Sequence, residues 1–120
     1  MRLTQGTVAA TQARRFARIF SAERGLPDPV AADLELVVTE LVTNAIRHGD
    51  PPIDVELNLT DSVVRGQVLD GSPAPPALNP CPDDRGGFGL TIVAQCTSRW
   101  GTEMLRSGCH RKQVWFEIET

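Results

Sequence analysis

Basic residues are in no surplus in this chain of 120 residues: twelve Lys and Arg stand against fifteen Asp and Glu, for a net charge of −3. Direct nucleic-acid binding leaves a basic excess on a domain, so composition gives that function no support. Lysine is nearly absent, with Lys112 the only one and the other basic residues all Arg. We read that bias as a trace of a GC-rich genome rather than of chemistry. Cysteine is scarce and odd in number. Cys81, Cys96 and Cys109 show no C-x-x-C spacing, which speaks against a structural zinc site or a disulfide framework. Cys109-His110 is an adjacent pair with no second pair to complete a tetrahedral site. Long hydrophobic runs are also missing: the opening M-R-L-T-Q-G-T lacks the apolar core of a signal peptide, and no run approaches membrane-spanning length. The expectation is a cytoplasmic protein with reduced thiols and no membrane contact.

What is present suits an ordinary soluble domain. Hydrophobic residues make up 41% and charged residues 22% of the chain, and the length fits one core in one domain spanning 1–120.

The spacing predicts a short strand over 2–8 and a helix over 11–24 with Ala13, Phe16, Ala17, Ile19 and Phe20 at helical intervals, stopped by Gly25. Asp28-Pro29 is a helix start, Asp as N-cap and Pro at the first helical position, for a helix running to His48 with Gly49 as its stop. Ile53, Val55, Leu57 and Leu59 alternate with polar residues, Asp61-Ser62 turns the chain, and a second strand runs from Val63 to Asp70. Residues 71–87 hold five prolines and three glycines and form a long loop of the functional kind. A helix over 90–99 and a final hairpin, 102–106 with 112–119, complete the order, Val114, Phe116 and Ile118 sharing one face. Hairpin-linked strands and separate helices predict an α+β two-layer sandwich, a mixed sheet covered by helices on one face.

Three features carry chemistry. On the 28–48 helix, Leu34, Val37, Val38, Leu41, Val42 and Ala45 fill a core arc, and Glu40, Asn44 and His48 form a polar row along its border, with Asp33 nearby. Such a row is either a solvated helix edge or the wall of a cleft where an amide oxygen ligates a hard cation beside a proton-accepting carboxylate. V-L-D-G-S-P ends the second strand at Asp70, as a turn or as an acceptor for an exocyclic purine amine. G-G-F-G-L-T-I-V opens a helix after the loop, as a flexible joint or as a close-approach anion site. A dinucleotide fingerprint is excluded because no third glycine follows Gly87-x-Gly89. A P-loop is excluded because Lys112 has neither the preceding glycine nor the following Ser or Thr.

In this order, E-L-V-T-N-A-I-R-H-G, V-L-D-G-S-P and G-G-F-G-L-T-I-V resemble the asparagine box and the two glycine boxes of the GHKL ATP-binding superfamily. The closer likeness is to its anti-sigma-factor, serine-protein-kinase branch, as in small actinobacterial ATP-binding regulators. S-R-W-G-T-E and K-Q-V-W-F-E-I extend the likeness over nearly the whole chain. The resemblance implies the Bergerat fold, ATP and Mg²⁺ as ligands, Glu40 as the catalytic base and Asn44 as the Mg²⁺ ligand. Asp70 would bind the adenine amine, Gly87 and Gly89 would let the backbone close over the phosphates, and 73–86 would be the ATP lid. His48 and Leu90 fall in the same nucleotide-binding boxes. The implied partners are a STAS-type anti-anti-sigma protein and a sigma factor, with a homodimer left open. Two positions depart from the pattern: Ser72 stands where D-x-G has glycine, and Gln113 where the last hairpin commonly has Thr. A non-catalytic binding module on the same fold is therefore the alternative. The catalytic half of a two-component histidine kinase fits less well, since 120 residues leave no room for a helix pair bearing a phospho-acceptor His.

Overall fold

Helix α2, Asp28–His48, is the longest element of the computed structural model and the one around which the others pack. The structure describes residues 1–4, 6, 8–72, 89–106 and 108–120, with only the backbone of 89 and 90. Before α2 lies α1, Ala9–Glu23; after it come β1, Asp54–Thr60, and β2, Val63–Asp70. The last described elements are α3, Gly89–Cys96, β3, Arg99–Met104, and β4, Lys112–Glu119.

The core arc of α2 is as its periodicity requires: Leu34, Val37, Val38, Leu41, Val42 and Ala45 are all buried. They pack against Ala13, Ala17 and Phe20 of α1 on one side and against Val55, Val64, Val68, Val114 and Phe116 of the sheet on another. Ile19 of α1, in the same apolar pattern by sequence, points outward and is exposed. The N-cap of α2 is Pro27 rather than the expected Asp28: Asp28 is already the first helical residue, where its charge favours the helix N-terminus.

The strands form a four-stranded sheet in the order β1-β2-β4-β3 with every neighbouring pair antiparallel. The α+β two-layer architecture matches the sequence expectation, but the sheet is antiparallel throughout these strands rather than mixed. Hairpins account for the outer pairings: Asp61 and Ser62, both at positive φ, join β1 to β2 in a two-residue turn with Thr60 opposite Val63. The expected opening strand contracts to an antiparallel bridge between Arg2 and Asp54, flanked by hydrogen bonds linking Met1 and Leu3 to Val55 and Ile53. The last helix ends at Cys96, three residues short of expectation, and β3 begins at Arg99 instead of 102. Cross-strand pairing overrides the helical period there, because Ser98 N–H donates to Glu117 O and Arg99 stands opposite Glu117.

The helix-facing side of β2 and β4 is apolar apart from one cross-strand pair. Along β2 it presents Val64, Gly66, Val68 and Asp70, and along β4 Lys112, Val114, Phe116 and Ile118. Gly66 is glycine because a Cβ there would lie 2.2 Å from the Phe116 ring. The opposite side is polar, with Trp115 packed over Gly101 and flanked by the guanidinium groups of Arg65 and Arg99, both paired with Glu117.

Candidate functional site

Glu40 and Asn44 lie one turn apart on α2, about 6 Å along its axis, and both are half-buried. His48, one turn further, is exposed. The row is thus graded from the helix packing layer to solvent. At its other end Asp33 meets the Cys96 thiol at the end of α3, and burial together with Asp33 pushes that thiol up from its ordinary pKa. Thr39 and Thr43 turn their hydroxyls back onto the carbonyls of Glu35 and Thr39, so they do not compete for Glu40 or Asn44. Among the described residues, neither the Glu40 carboxylate nor the Asn44 carboxamide has a hydrogen-bond or ion-pair partner. Both groups are left with acceptor oxygens for a ligand.

Asp70 ends β2 beside the C-terminal turn of α2. Gly49, which closes that helix, is extended rather than left-handed (φ −101°). Its glycine is required by space: a Cβ would stand 2.7 Å from both Asp70 Cγ and the carbonyl of Ala45. The carboxylate is therefore seated against the helix end that carries Asn44 and His48. Two further bonds fix the seat, Gly71 N–H to Asp50 O at 2.6 Å and Arg111 N–H to Asp70 O at 2.8 Å.

The carboxylate is only 2% exposed and holds two partners. Oδ1 accepts the Ser72 N–H at 2.8 Å, and Oδ2 lies 3.3 Å from Lys112 Nζ. Ser72 thus holds the aspartate through its backbone, whatever its side chain does. Lys112 is a residue that the sequence reading passed over. Gln113, noted as a departure from the family pattern, stands opposite Leu69, one step out of phase with Asp70. Lys112 is the direct cross-strand partner of Asp70 and shares its face. The signal was present: Val114, Phe116 and Ile118 alternate on one face, and Lys112 continues that alternation.

Of the other expected site residues, Gly89 opens α3 and Leu90 follows it, while Gly87 and the lid 73–86 lie outside the described residues. A cavity of about 600 Å³ lies along another side of α2, among Leu3, Ala9, Ala45, Ile46, Pro52 and Ile53, and includes none of Glu40, Asn44 and Asp70. No cluster of three metal-ligating His, Cys, Asp or Glu side chains occurs among the described residues. No described helix is long and apolar enough to cross a membrane.

The family description "histidine kinase-like ATPase domain" matches residues 4–117, and the chain belongs to that family. Among solved structures, it is similar to the histidine kinase domain of a blue-light-activated histidine kinase from Erythrobacter litoralis EL346. The TM-score is 0.55 at 16% identity over 92% of this chain, which shows a shared fold. The present chain spans 60% of that protein's length. No curated protein matches it.

Proposed function

We propose that this chain is an ATP-dependent anti-sigma factor with protein serine/threonine kinase activity. It transfers the γ-phosphoryl group of ATP to a Ser or Thr of a STAS-type anti-anti-sigma protein and regulates a sigma factor by exchange between the two partners. The observation that carries the reading is the pair of Glu40 and Asn44 on the half-buried edge of α2, without partners among the described residues, beside the helix end against which Asp70 is seated.

The donor set fits Mg²⁺: the Asn44 amide oxygen is a hard ligand, and a single protein ligand suits an ion that keeps several waters and binds phosphate oxygens. When bound, the ion would neutralise charge on the transferring phosphoryl group. Glu40 accepts the proton of the attacking hydroxyl as its oxygen bonds to the γ-phosphorus and the bond to the bridging oxygen of ADP breaks. Asp70 accepts a hydrogen bond from the adenine amine. By the family resemblance Gly87, Gly89 and Leu90 would serve the phosphates, and His48, exposed in the last turn of α2, would lie at the edge of the site.

A second reading, a protein-binding module with weak or no ATP binding, is favoured by the engagement of both Asp70 oxygens by Ser72 and Lys112. Incubation with radiolabelled ATP, Mg²⁺ and candidate STAS proteins separates the two. Phosphate on the STAS protein that disappears with Glu40→Ala supports the kinase. No transfer to any of them, with sigma-factor binding retained, supports the module. Calorimetric titration with ATP and Mg²⁺, against Asn44→Ala and Asp70→Ala, tests the nucleotide site directly.

A further inference from the structure

Lys112 and Asp70 are the two charged side chains on the helix-facing side of β2 and β4. Replacing a buried ion pair with well-packed apolar side chains is often neutral or stabilising, and every other described cross-strand pair on the helix side of β2 and β4 is built without charge. The pair also sits at the end of the sheet against Gly49 rather than in the middle of the core. Its geometry is loose: the 3.3 Å separation of Nζ and Oδ2 exceeds the 2.7–2.9 Å of a tight charge-assisted bond. An ammonium carries three donors, and among the described residues Asp70 is the only ion-pair partner of Lys112.

Resting on the reading of Asp70 as the acceptor for the adenine amine, we propose that Lys112 is a base-contacting residue. It donates a hydrogen bond to the ring nitrogen that flanks this amine. The 6-aminopurine edge presents a donor, the amine, next to an acceptor, the ring nitrogen N1 on one side or N7 on the other. Asp70 and Lys112 present the complementary acceptor and donor from adjacent strands on one face. Asp70 alone would recognise an amine; the pair recognises an amine beside a ring nitrogen. Lys112 makes this contact from the rigid end of β4, held in register by Arg111 N–H on Asp70 O.

The test uses ATP, 1-deaza-ATP and 7-deaza-ATP, in which one ring nitrogen at a time becomes C–H, titrated with Mg²⁺ into the wild-type chain and into Lys112→Met. The expected result is roughly a tenfold or greater loss for one of the two analogues in the wild type, the size of a hydrogen bond to a charged group. In Lys112→Met that same analogue and ATP bind with nearly equal affinity. The proposal is overturned if the wild type binds both analogues as tightly as ATP, or if the analogue penalty is the same in Lys112→Met. The wild-type comparison decides by itself should Lys112→Met fail to fold, since it needs no variant. Failure of the underlying nucleotide reading is distinct: the wild type then binds none of the three.

Discussion

Lys112 and Asp70 face each other across β4 and β2 with Nζ 3.3 Å from Oδ2, and 4% and 3% of the two side chains are exposed. Solvent screening is slight at such burial, so loss of one partner leaves an uncompensated charge. Lys112→Ala is expected to destabilise the chain by about 3–5 kcal/mol, measured as a shift in the urea midpoint with the slope retained. The double variant Asp70→Leu with Lys112→Met should recover most of that loss. A Lys112→Ala cost below about 1 kcal/mol would show that the pair is solvated in solution.

Gly49 lies where the end of α2 meets Asp70. Gly49→Ala puts a methyl group 2.7 Å from Asp70 Cγ and from the Ala45 carbonyl, neither of which is a flexible chain end. Overpacking of this kind costs about 1–3 kcal/mol. Because the carboxylate must give way, ATP affinity should fall along with stability. Unchanged ATP affinity in a destabilised Gly49→Ala would separate the adenine contact from the position of Asp70.

Asp54 ties the N-terminal segment to the sheet. Burial pushes its pKa up, but hydrogen bonds from Arg2 and His110, together with their charges, outweigh this and leave it below its ordinary 3.8. A carboxyl lowered in the folded state binds its proton more readily in the unfolded chain. Its stabilisation is therefore complete above the unfolded value and is lost as pH falls through the folded one. The difference in unfolding free energy between wild type and Asp54→Asn should be present at neutral pH and shrink as pH falls through 3.8 and below. A gap independent of pH would assign the effect to packing.

Cys109 is exposed, whereas Cys96 is half-buried with a thiol raised by burial and by Asp33. Alkylation near neutral pH, followed by peptide mass spectrometry, should modify Cys109 well before Cys96, because the thiolate is the reacting species. Asp33→Asn should speed the reaction of Cys96. Equal rates at the two sites would mean that the contact between α2 and α3 opens readily.

Much of this protein was legible in its residues one segment at a time. His48-Gly49 marked the end of α2 and Asp28-Pro29 its start to within one residue, the N-cap being Pro27, since helix ends are set by groups within a turn of them. Asp61-Ser62 fixed the first hairpin and, through period-2 alternation, which side of β1 and β2 faces the helices. The polar row of Glu40, Asn44 and His48 was readable from the angular step of a helix alone. Where pairing partners are distant in sequence, local pattern misled. Helical spacing ran on to Arg99, but pairing opposite Glu117 claimed that residue for β3. The opening segment read as a strand, yet its described pairing is confined to the residues around the Arg2–Asp54 bridge. That Lys112, and not its neighbour Gln113, stands opposite Asp70 could not be read from the local pattern. Strand register is fixed by hydrogen bonds between segments far apart in the chain, and a slip of one residue exchanges the two faces of a strand. Sequence by itself thus determined the elements and the row on α2; only the tertiary structure decided that Lys112 meets Asp70, and that Gly49 makes room for the carboxylate.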